Sequence, residues 1–228
     1  IDGDVTVIAG TDANTTGDQV FLTGGTGQNG LAQIGSGGVN ADVAIDSDVS
    51  VTADLAITLN GGVGPESSAM IGNGGDSADG TKDGDVTAIT QSGNIVITSG
   101  QIGSGGDEST GNVDGDITLN LNNGGTLQLN GGTQSAHVGH GGDYADNGAG
   151  QSDGVADGNL DGNIRVNGAT TVNLAGSASD DGSAHFGHGG SNHDGNRTGD
   201  IDLIVTGNIT GTAGSGNDTY AQFGHGGG

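Results

Sequence analysis

Histidine residues recur at one position of a glycine-rich motif, and imidazoles repeated in this way could bind a metal ion or titrate near neutral pH. The motif reads Ala-x-[Ile/Val/Phe]-Gly-[His/Ser/Asn]-Gly-Gly. Its copies, of which the third keeps only the second half, occupy residues 32–38, 69–75, 101–106, 136–142, 184–190 and 221–227. The position after the first glycine holds, in chain order, Ser36, Asn73, Ser104, His140, His188 and His225.

Two interpretations of this column are open. His140, His188 and His225 could form a metal-binding or proton-sensitive ladder. The column could instead be a polar corner whose side chains hydrogen-bond to glycine-rich backbone. Serine and asparagine in the same column favour the corner, because neither is a good ligand for transition metals. Residue x alternates with inward-facing positions, so we expect His137 and His185 to form a second, outward-facing pair.

Acidic loops follow the motif and could bind calcium through carboxylate and carbonyl oxygens. The candidate ligands are Asp76 and Asp79 in the loop at 76–80, and Asp153 and Asp157 in the loop at 153–158. Neither loop has the EF-hand spacing, and aspartate is also a common turn residue. The connections at 75–83, 106–114, 142–161 and 190–199 carry most of the variation, so we expect a specific function to lie along that edge.

The elements that position these residues follow from the repeat spacing. The first glycines of successive motifs lie 37, 31, 36, 48 and 37 residues apart, which is typical of a solenoid. Each repeat holds two short apolar runs before its motif, and the motif supplies a third. This pattern predicts an all-β, right-handed parallel β-helix of about six coils with three short strands per coil. The predicted repeats of this single domain are 1–44, 45–82, 83–113, 114–160, 161–198 and 199–228.

Stacked coils would align equivalent apolar residues in columns inside the rod. One predicted column is Val5, Val49, Val86, Ile117, Ile164 and Ile201. Another is Ile34, Ile71, Ile102, Val138, Phe186 and Phe223. The rival architecture is an antiparallel sandwich with glycine-rich hairpins, but the connections vary in length and the similarity lies between equivalent strands. The chain starts on a predicted strand and ends on a complete motif, which predicts a segment of a longer array.

Composition excludes several classes of function. The 228 residues include 53 glycines, no cysteine, 28 acidic residues and three basic ones, for a net charge of −25. Nucleic-acid binding requires many lysines and arginines, and anionic membranes repel such a chain. Disulfides and thiolate metal sites are excluded. The basic residues Lys82, Arg165 and Arg197 occupy unrelated positions, and no catalytic order of residues stands out, so we do not expect an enzyme.

The repeat Gly-Asp-[Ile/Val]-Thr-[Val/Leu], a second β-run and Ala-Gln-[Ile/Phe]-Gly-[His/Ser]-Gly-Gly resembles the repeat regions of filamentous-haemagglutinin-type exoproteins. These large bacterial proteins are exported by two-partner secretion. The resemblance covers essentially the whole chain and implies an extracellular or cell-surface rod for adhesion or biofilm matrix. The expected partners are further copies of the chain, stacked end to end, or surface glycans. The alternative function is a carbohydrate-binding or polysaccharide-degrading β-helix.

Overall fold

Short runs of alternating apolar and polar residues form the strands, and glycine, asparagine and aspartate form the turns between them. The structure is a computed structural model that describes residues 1–10, 17–64, 67–106, 109–142, 156–190 and 193–226. Coils 1 to 3 contain the strands β1 (Val5–Ala9), β2 (Gln19–Thr23), β3 (Ala32–Ile34); β4 (Ile45–Asp46), β5 (Val49–Ala53), β6 (Ala56–Asn60), β7 (Ala69–Ile71); β8 (Lys82–Asp83), β9 (Val86–Thr90), β10 (Ile95–Thr98) and β11 (Gly100–Ile102). Coils 4 to 6 contain β12 (Val113–Asp114), β13 (Ile117–Leu121), β14 (Thr126–Asn130), β15 (Ala136–Val138); β16 (Ala156–Asp157), β17 (Leu160–Asp161), β18 (Ile164–Ala169), β19 (Thr171–Ala175), β20 (Ala184–Phe186); β21 (His193–Asp194), β22 (Arg197–Thr198), β23 (Ile201–Val205), β24 (Ile209–Thr212) and β25 (Ala221–Phe223).

Every strand pairs in parallel with its equivalents in the neighbouring coils. The first sheet is β1-β5-β9-β13-β18-β23, the second is β2-β6-β10-β14-β19-β24, and the third is β3-β7-β11-β15-β20-β25. The predicted right-handed parallel β-helix is therefore confirmed. The antiparallel alternative is wrong, because each chain segment pairs with the segment one coil away and not with its neighbour in sequence.

A fourth sheet adds an element that the three-strand description lacks. It consists of two-residue strands in the order β4-β8-β12-β17-β22, and β16 and β21 form a further two-stranded sheet. These strands follow the variable loops and precede the first strand of each coil. Their short length explains the omission, because two residues cannot show an alternating pattern.

The predicted core columns are confirmed by the strand register. Val49 lies opposite Val5 and Val86, and Ile71 lies opposite Ile34 and Ile102. Such residues are fully buried in the middle coils, where each contributes roughly 1.5–3 kcal/mol by leaving water. In the outermost coils they are partly exposed, because a coil covers them on one side only.

The first glycine of the motif allows successive coils to approach closely. A Cβ added at Gly103 would lie 2.0 Å from the carbonyl oxygen of Gly139, and the φ angle of Gly103 is +142°. Only glycine adopts this backbone conformation without strain and leaves room for the next coil. The motif glycines therefore define a corner at which backbone packs on backbone.

Candidate functional site

The three histidines of the motif form a continuous stack at this corner. The ring centroids of His140 and His188 lie 4.9 Å apart, as do those of His188 and His225, with interplanar angles of 1° and 7°. This distance is the spacing between adjacent coils. His140 and His188 are fully buried. The parallel register thus brings together three residues that lie tens of positions apart in the sequence.

Each of these rings accepts a hydrogen bond from the coil before it. The backbone N–H groups of Ser104 and His140 donate to Nδ1 of His140 and His188 at 3.0 Å, and that of His188 donates to Nδ1 of His225 at 3.1 Å. A nitrogen that accepts a hydrogen bond carries no proton. Nδ1 is therefore unprotonated in all three rings.

The other ring nitrogen bonds within the corner as a donor. Nε2 of His140 lies 2.7 Å from the carbonyl oxygen of Gly115, and Nε2 of His188 lies 2.8 Å from that of Gly162. His225 repeats the contact with Gly199 at 3.1 Å. A carbonyl oxygen can only accept, so Nε2 carries the proton and the rings are neutral. The one lone pair that could bind a metal ion, on Nδ1, is already used by a backbone N–H.

Serine and asparagine in this column form the equivalent bonds. The backbone N–H of Ser36 donates to Oδ1 of Asn73 at 3.0 Å, and that of Asn73 donates to Oγ of Ser104 at 3.1 Å. The amide nitrogen of Asn73 also donates to the carbonyl oxygen of Ser47, which occupies in its own coil the position that Gly115 and Gly162 occupy in theirs. Imidazole, amide and hydroxyl groups therefore perform the same structural task.

Burial sets the protonation of these rings. It lowers the pKa of His188 to about 3, and the neighbouring His140 acts in the same direction. Burial also lowers the pKa of His140, against the opposing effect of the Gly115 carbonyl. In a protonated ring, Nδ1 carries a hydrogen that points at the backbone N–H of the neighbouring coil. The hydrogen bond between the two coils is then lost. The column is thus stable only in its neutral form.

His137 and His185 form the predicted second pair on the outer face of their strands, but that face is not open to solvent. These side chains are only 3% and 1% exposed, and their rings stack at 4.8 Å. Their Nε2 atoms contact the carbonyl oxygens of Gly187 and Gly224 at 2.6 and 2.8 Å. Burial lowers the pKa of His185 to about 4. Backbone of the motif glycines in the following coil thus lies over the outer face of this strand.

Glutamines in the same column show how residue x joins coils. The side-chain amide of Gln33 donates to the carbonyl oxygens of Gly72 and Gly74 at 2.9 and 2.8 Å. Gln101 donates to the equivalent oxygens of Gly139 and Gly141 at 3.0 and 2.7 Å. Residue x therefore bonds to the backbone of the following coil.

The four calcium candidates do not form one site in the described part of the chain. Asp153 lies outside the described residues, and only the backbone of Asp157 is described. Asp76 is buried, whereas Asp79 accepts a hydrogen bond from Thr110 at 2.6 Å. Among the described residues, no group of three or more histidine and acidic side chains could hold a metal ion. Calcium binding by the acidic loops stays a prediction.

Lys82 is a structural residue that the sequence patterns did not indicate. It occupies the inward position of β8 and is 1% exposed. Its Nζ donates to the carbonyl oxygens of Ala78, Gly80 and Thr110 at 2.6, 2.9 and 2.8 Å. Burial lowers its pKa to about 8, partly offset by Asp79. Alignment of the coils on their Asp-Gly-Asp segments would have placed Lys82 in the column of Ile45 and Val113.

Replacing Lys82 with methionine tests this role, since methionine keeps the apolar stem and removes the donor. Three carbonyl groups lose their partner, so the free energy of unfolding is expected to fall by about 1–3 kcal/mol. Urea denaturation measures the change. Arg165→Met is the matched control, because the Arg165–Asp202 ion pair at 3.2 Å is exposed and contributes about 1 kcal/mol or less. Equal losses of unfolding free energy in the two variants would show that the hydrogen bonds of Lys82 do not stabilise the fold.

The parallel register of the strands also aligns aspartates of successive coils in two columns. The outward residues of the fourth sheet form one column, and Asp2 extends it: Asp2, Asp46, Asp83, Asp114 and Asp161. Burial and the charges of Asp114 and Asp46 raise the pKa of Asp83. In the second column, Asp4, Asp48, Asp85 and Asp116 each accept the backbone N–H of the next coil at 2.8–3.2 Å. The second column is therefore a further structural ladder.

Comparison of the chain with protein-family models, with curated proteins and with solved structures finds no match in any of the three. Within the described ranges, no helix has the length and apolar character needed to cross a membrane.

Proposed function

We propose that the chain is a structural or adhesive repeat segment of a secreted or cell-surface bacterial protein, forming a rod or an extracellular filament. One observation carries the proposal. Side chains capable of acid–base or metal chemistry, including His140, His188 and Lys82, are bonded to the backbone carbonyls and N–H groups of the coils. These hydrogen bonds hold the coils of the rod in register.

The resemblance to filamentous-haemagglutinin-type repeats supports the same function. Such a rod would present the variable acidic loops along one edge, where they could contact cell-surface or matrix glycans. The net charge of −25 keeps the rod soluble by self-repulsion and disfavours contact with nucleic acid or anionic membranes. The extracellular space is therefore the location that we propose.

A polysaccharide-degrading β-helix is the second candidate, and the Asp83 column favours it. A carboxyl group whose pKa is raised by burial and by flanking carboxylates has the property required of a general acid in glycoside hydrolysis. The carboxylates on either side, Asp46 and Asp114, would supply the second acidic group.

Turnover on a panel of acidic and neutral polysaccharides separates the two candidates. We expect no release of reducing ends or unsaturated sugars. Binding to glycans or bacterial cells without turnover would support the adhesive role. Turnover that disappears in Asp83→Asn, but not in the control Asp48→Asn, would overturn the structural proposal and favour the enzyme.

A further inference from the structure

The outward faces of the first two sheets carry no charge in the middle of the rod. Residues 86–106 of coil 3 and 117–142 of coil 4 contain no aspartate, glutamate, lysine or arginine, and β19, which continues the second sheet in coil 5, has none either. The acidic residues that precede these runs, such as Asp83 and Asp114, belong to the fourth sheet. The net charge of −25 is therefore concentrated away from this part of the surface.

The uncharged face, defined as the outward residues of β9, β10, β13, β14 and β19, consists mainly of hydroxyl and amide groups. Every one of these strands contributes an outward threonine. The amides on the face are Asn120, Gln128, Asn130 and Asn173. All of these side chains are half-buried, whereas the alternate residues of the same strands lie in the core. The face is therefore a broad polar surface without ions.

Hydrogen bonds along and between the strands hold the amides of this face in place. Nε2 of Gln128 donates to Oδ1 of Asn130 at 2.9 Å, and Nδ2 of Asn130 donates to Oγ1 of Thr98 at 3.3 Å. Nδ2 of Asn167 donates to Oδ1 of Asn120 at 3.0 Å. A side-chain amide has two N–H donors and two acceptor lone pairs, so each retains capacity for a ligand. Because the groups are already ordered, binding costs little side-chain entropy.

Equivalent side chains of the uncharged face recur at the spacing between coils. β14 pairs with β10 and with β19 without a register shift, so Val96, Gln128 and Asn173 lie side by side. The stacked histidine rings give this spacing as 4.8–4.9 Å, and outward residues two apart lie about 6.6 Å from each other along a strand. A surface that repeats its donors and acceptors suits a ligand whose hydroxyl groups also repeat, because many weak contacts then act together.

Charge selects among ligands of this kind. A chain with a net charge of −25 repels polysaccharides that carry carboxylate or sulfate groups. An uncharged polysaccharide can bond to the hydroxyl and amide groups of this face without removing any carboxylate from water. Ile89 and Val96, which are half-buried on the same face, provide apolar surface for the C–H groups of the sugar rings.

We propose that the uncharged face binds an uncharged linear polysaccharide, whose hydroxyl groups bond to the amides and threonines of successive coils. The inference rests on the adhesive rod proposed above, and it names the class of glycan and the face that binds it. The carboxylate columns of the rod take no part in this contact.

Asn120→Asp and Asn173→Asp test the role of the face. Each substitution keeps the oxygen that accepts the existing hydrogen bond, from Asn167 at 3.0 Å and from Thr210 at 2.7 Å, but it removes the N–H donors and adds a negative charge. Each variant is expected to bind uncharged polysaccharides about five- to ten-fold more weakly, because at least one hydrogen bond to the ligand is lost. Co-sedimentation with cellulose and chitin, and affinity electrophoresis in soluble mannan and in alginate, measure the binding.

Asp85→Asn is the matched control, because it makes the reverse change outside the uncharged face. Asp85 accepts the backbone N–H of Asp116 at 2.8 Å, and Asn163 accepts that of Asp200 at 3.0 Å in the same ladder. An asparagine therefore preserves the contact between coils. This variant should bind the uncharged polysaccharides as the parent chain does. Urea denaturation of all three variants checks that each is folded.

The outcomes separate this inference from the proposed function. Binding of cellulose, chitin or mannan that is weaker in both face variants and unchanged in Asp85→Asn supports the uncharged face. Binding of alginate alone, or binding that is equal in the parent and the face variants, overturns the inference and leaves an adhesive rod that uses another surface. A chain that binds none of these polysaccharides also overturns it and leaves a purely structural rod. Degradation of a bound polysaccharide would overturn the structural or adhesive function and leave the binding face intact.

Discussion

Gly103→Ala is expected to disrupt the centre of the rod, with a loss of about 4 kcal/mol in the free energy of unfolding. Two effects add. The φ angle of +142° strains any residue other than glycine by roughly 1–3 kcal/mol. The new Cβ would also lie 2.0 Å from the carbonyl oxygen of Gly139, and relieving that overlap costs roughly 1–3 kcal/mol or more. Urea denaturation followed by circular dichroism measures the loss.

Gly224→Ala is the matched control for this variant. It occupies the same motif position with a φ of +136°, but an added Cβ has no neighbour within 4 Å. It should show the backbone strain alone, a loss of about 2 kcal/mol in the free energy of unfolding. If the two variants lose the same stability, close packing of successive coils is not the reason that glycine recurs at this corner.

Acid is expected to destabilise the rod through its neutral histidines. The pKa of His188 is about 3 in the folded chain against an ordinary value of 6.5, so the unfolded chain binds the proton more tightly. The contribution of this residue to stability is complete above pH 6.5 and is lost as the pH falls towards 3. Between pH 7 and pH 4 the loss amounts to about 3 kcal/mol for His188 alone. Burial lowers the pKa of His140 and His185 as well, so their contributions change in the same direction.

His188→Asn isolates this effect. Asn73 shows that an asparagine in this column accepts one backbone bond and donates another. The variant should therefore keep most of its stability at pH 7 and lose less than the parent at pH 4. The free energy of unfolding is measured against pH for both proteins, and one profile is subtracted from the other. The carboxylates titrate in both proteins, so their contribution cancels. Parallel profiles from pH 7 to pH 4 would show that protonation of His188 does not control acid stability.

The repeat and its period of two were sufficient to predict the core. Val49 and Ile71 lie in the predicted columns because alternation identifies the inward face and the repeat identifies the stacked partner. The exchange of His140 with serine and asparagine in one column also indicated a structural corner. Sequence alone could carry these predictions because each depends only on local alternation and on equivalence between coils.

Other features required the path of the chain in space. Alternation places His137 on the outer face of its strand, but it cannot show that motif backbone of the following coil covers that face. The role of Lys82 depends on a two-residue strand, which is too short to recognise, and on carbonyls from two loops. The aspartates in the column around Asp83 are separated in the sequence by loops of different length. Their alignment is therefore apparent only from the stacking of the coils.

The tautomers of the buried histidines test the central claim most directly, namely that the motif's side chains bond one coil to the next. Long-range ¹H–¹⁵N NMR correlation spectra report which ring nitrogen carries the proton. We expect His140 and His188 to be neutral at pH 7 with the proton on Nε2, His188 to remain so at pH 5, and both to be unchanged by added Zn²⁺. Titration of these rings near pH 6.5, or a shift of Nδ1 on addition of Zn²⁺, would contradict the structural role and restore the metal-binding or proton-sensitive ladder.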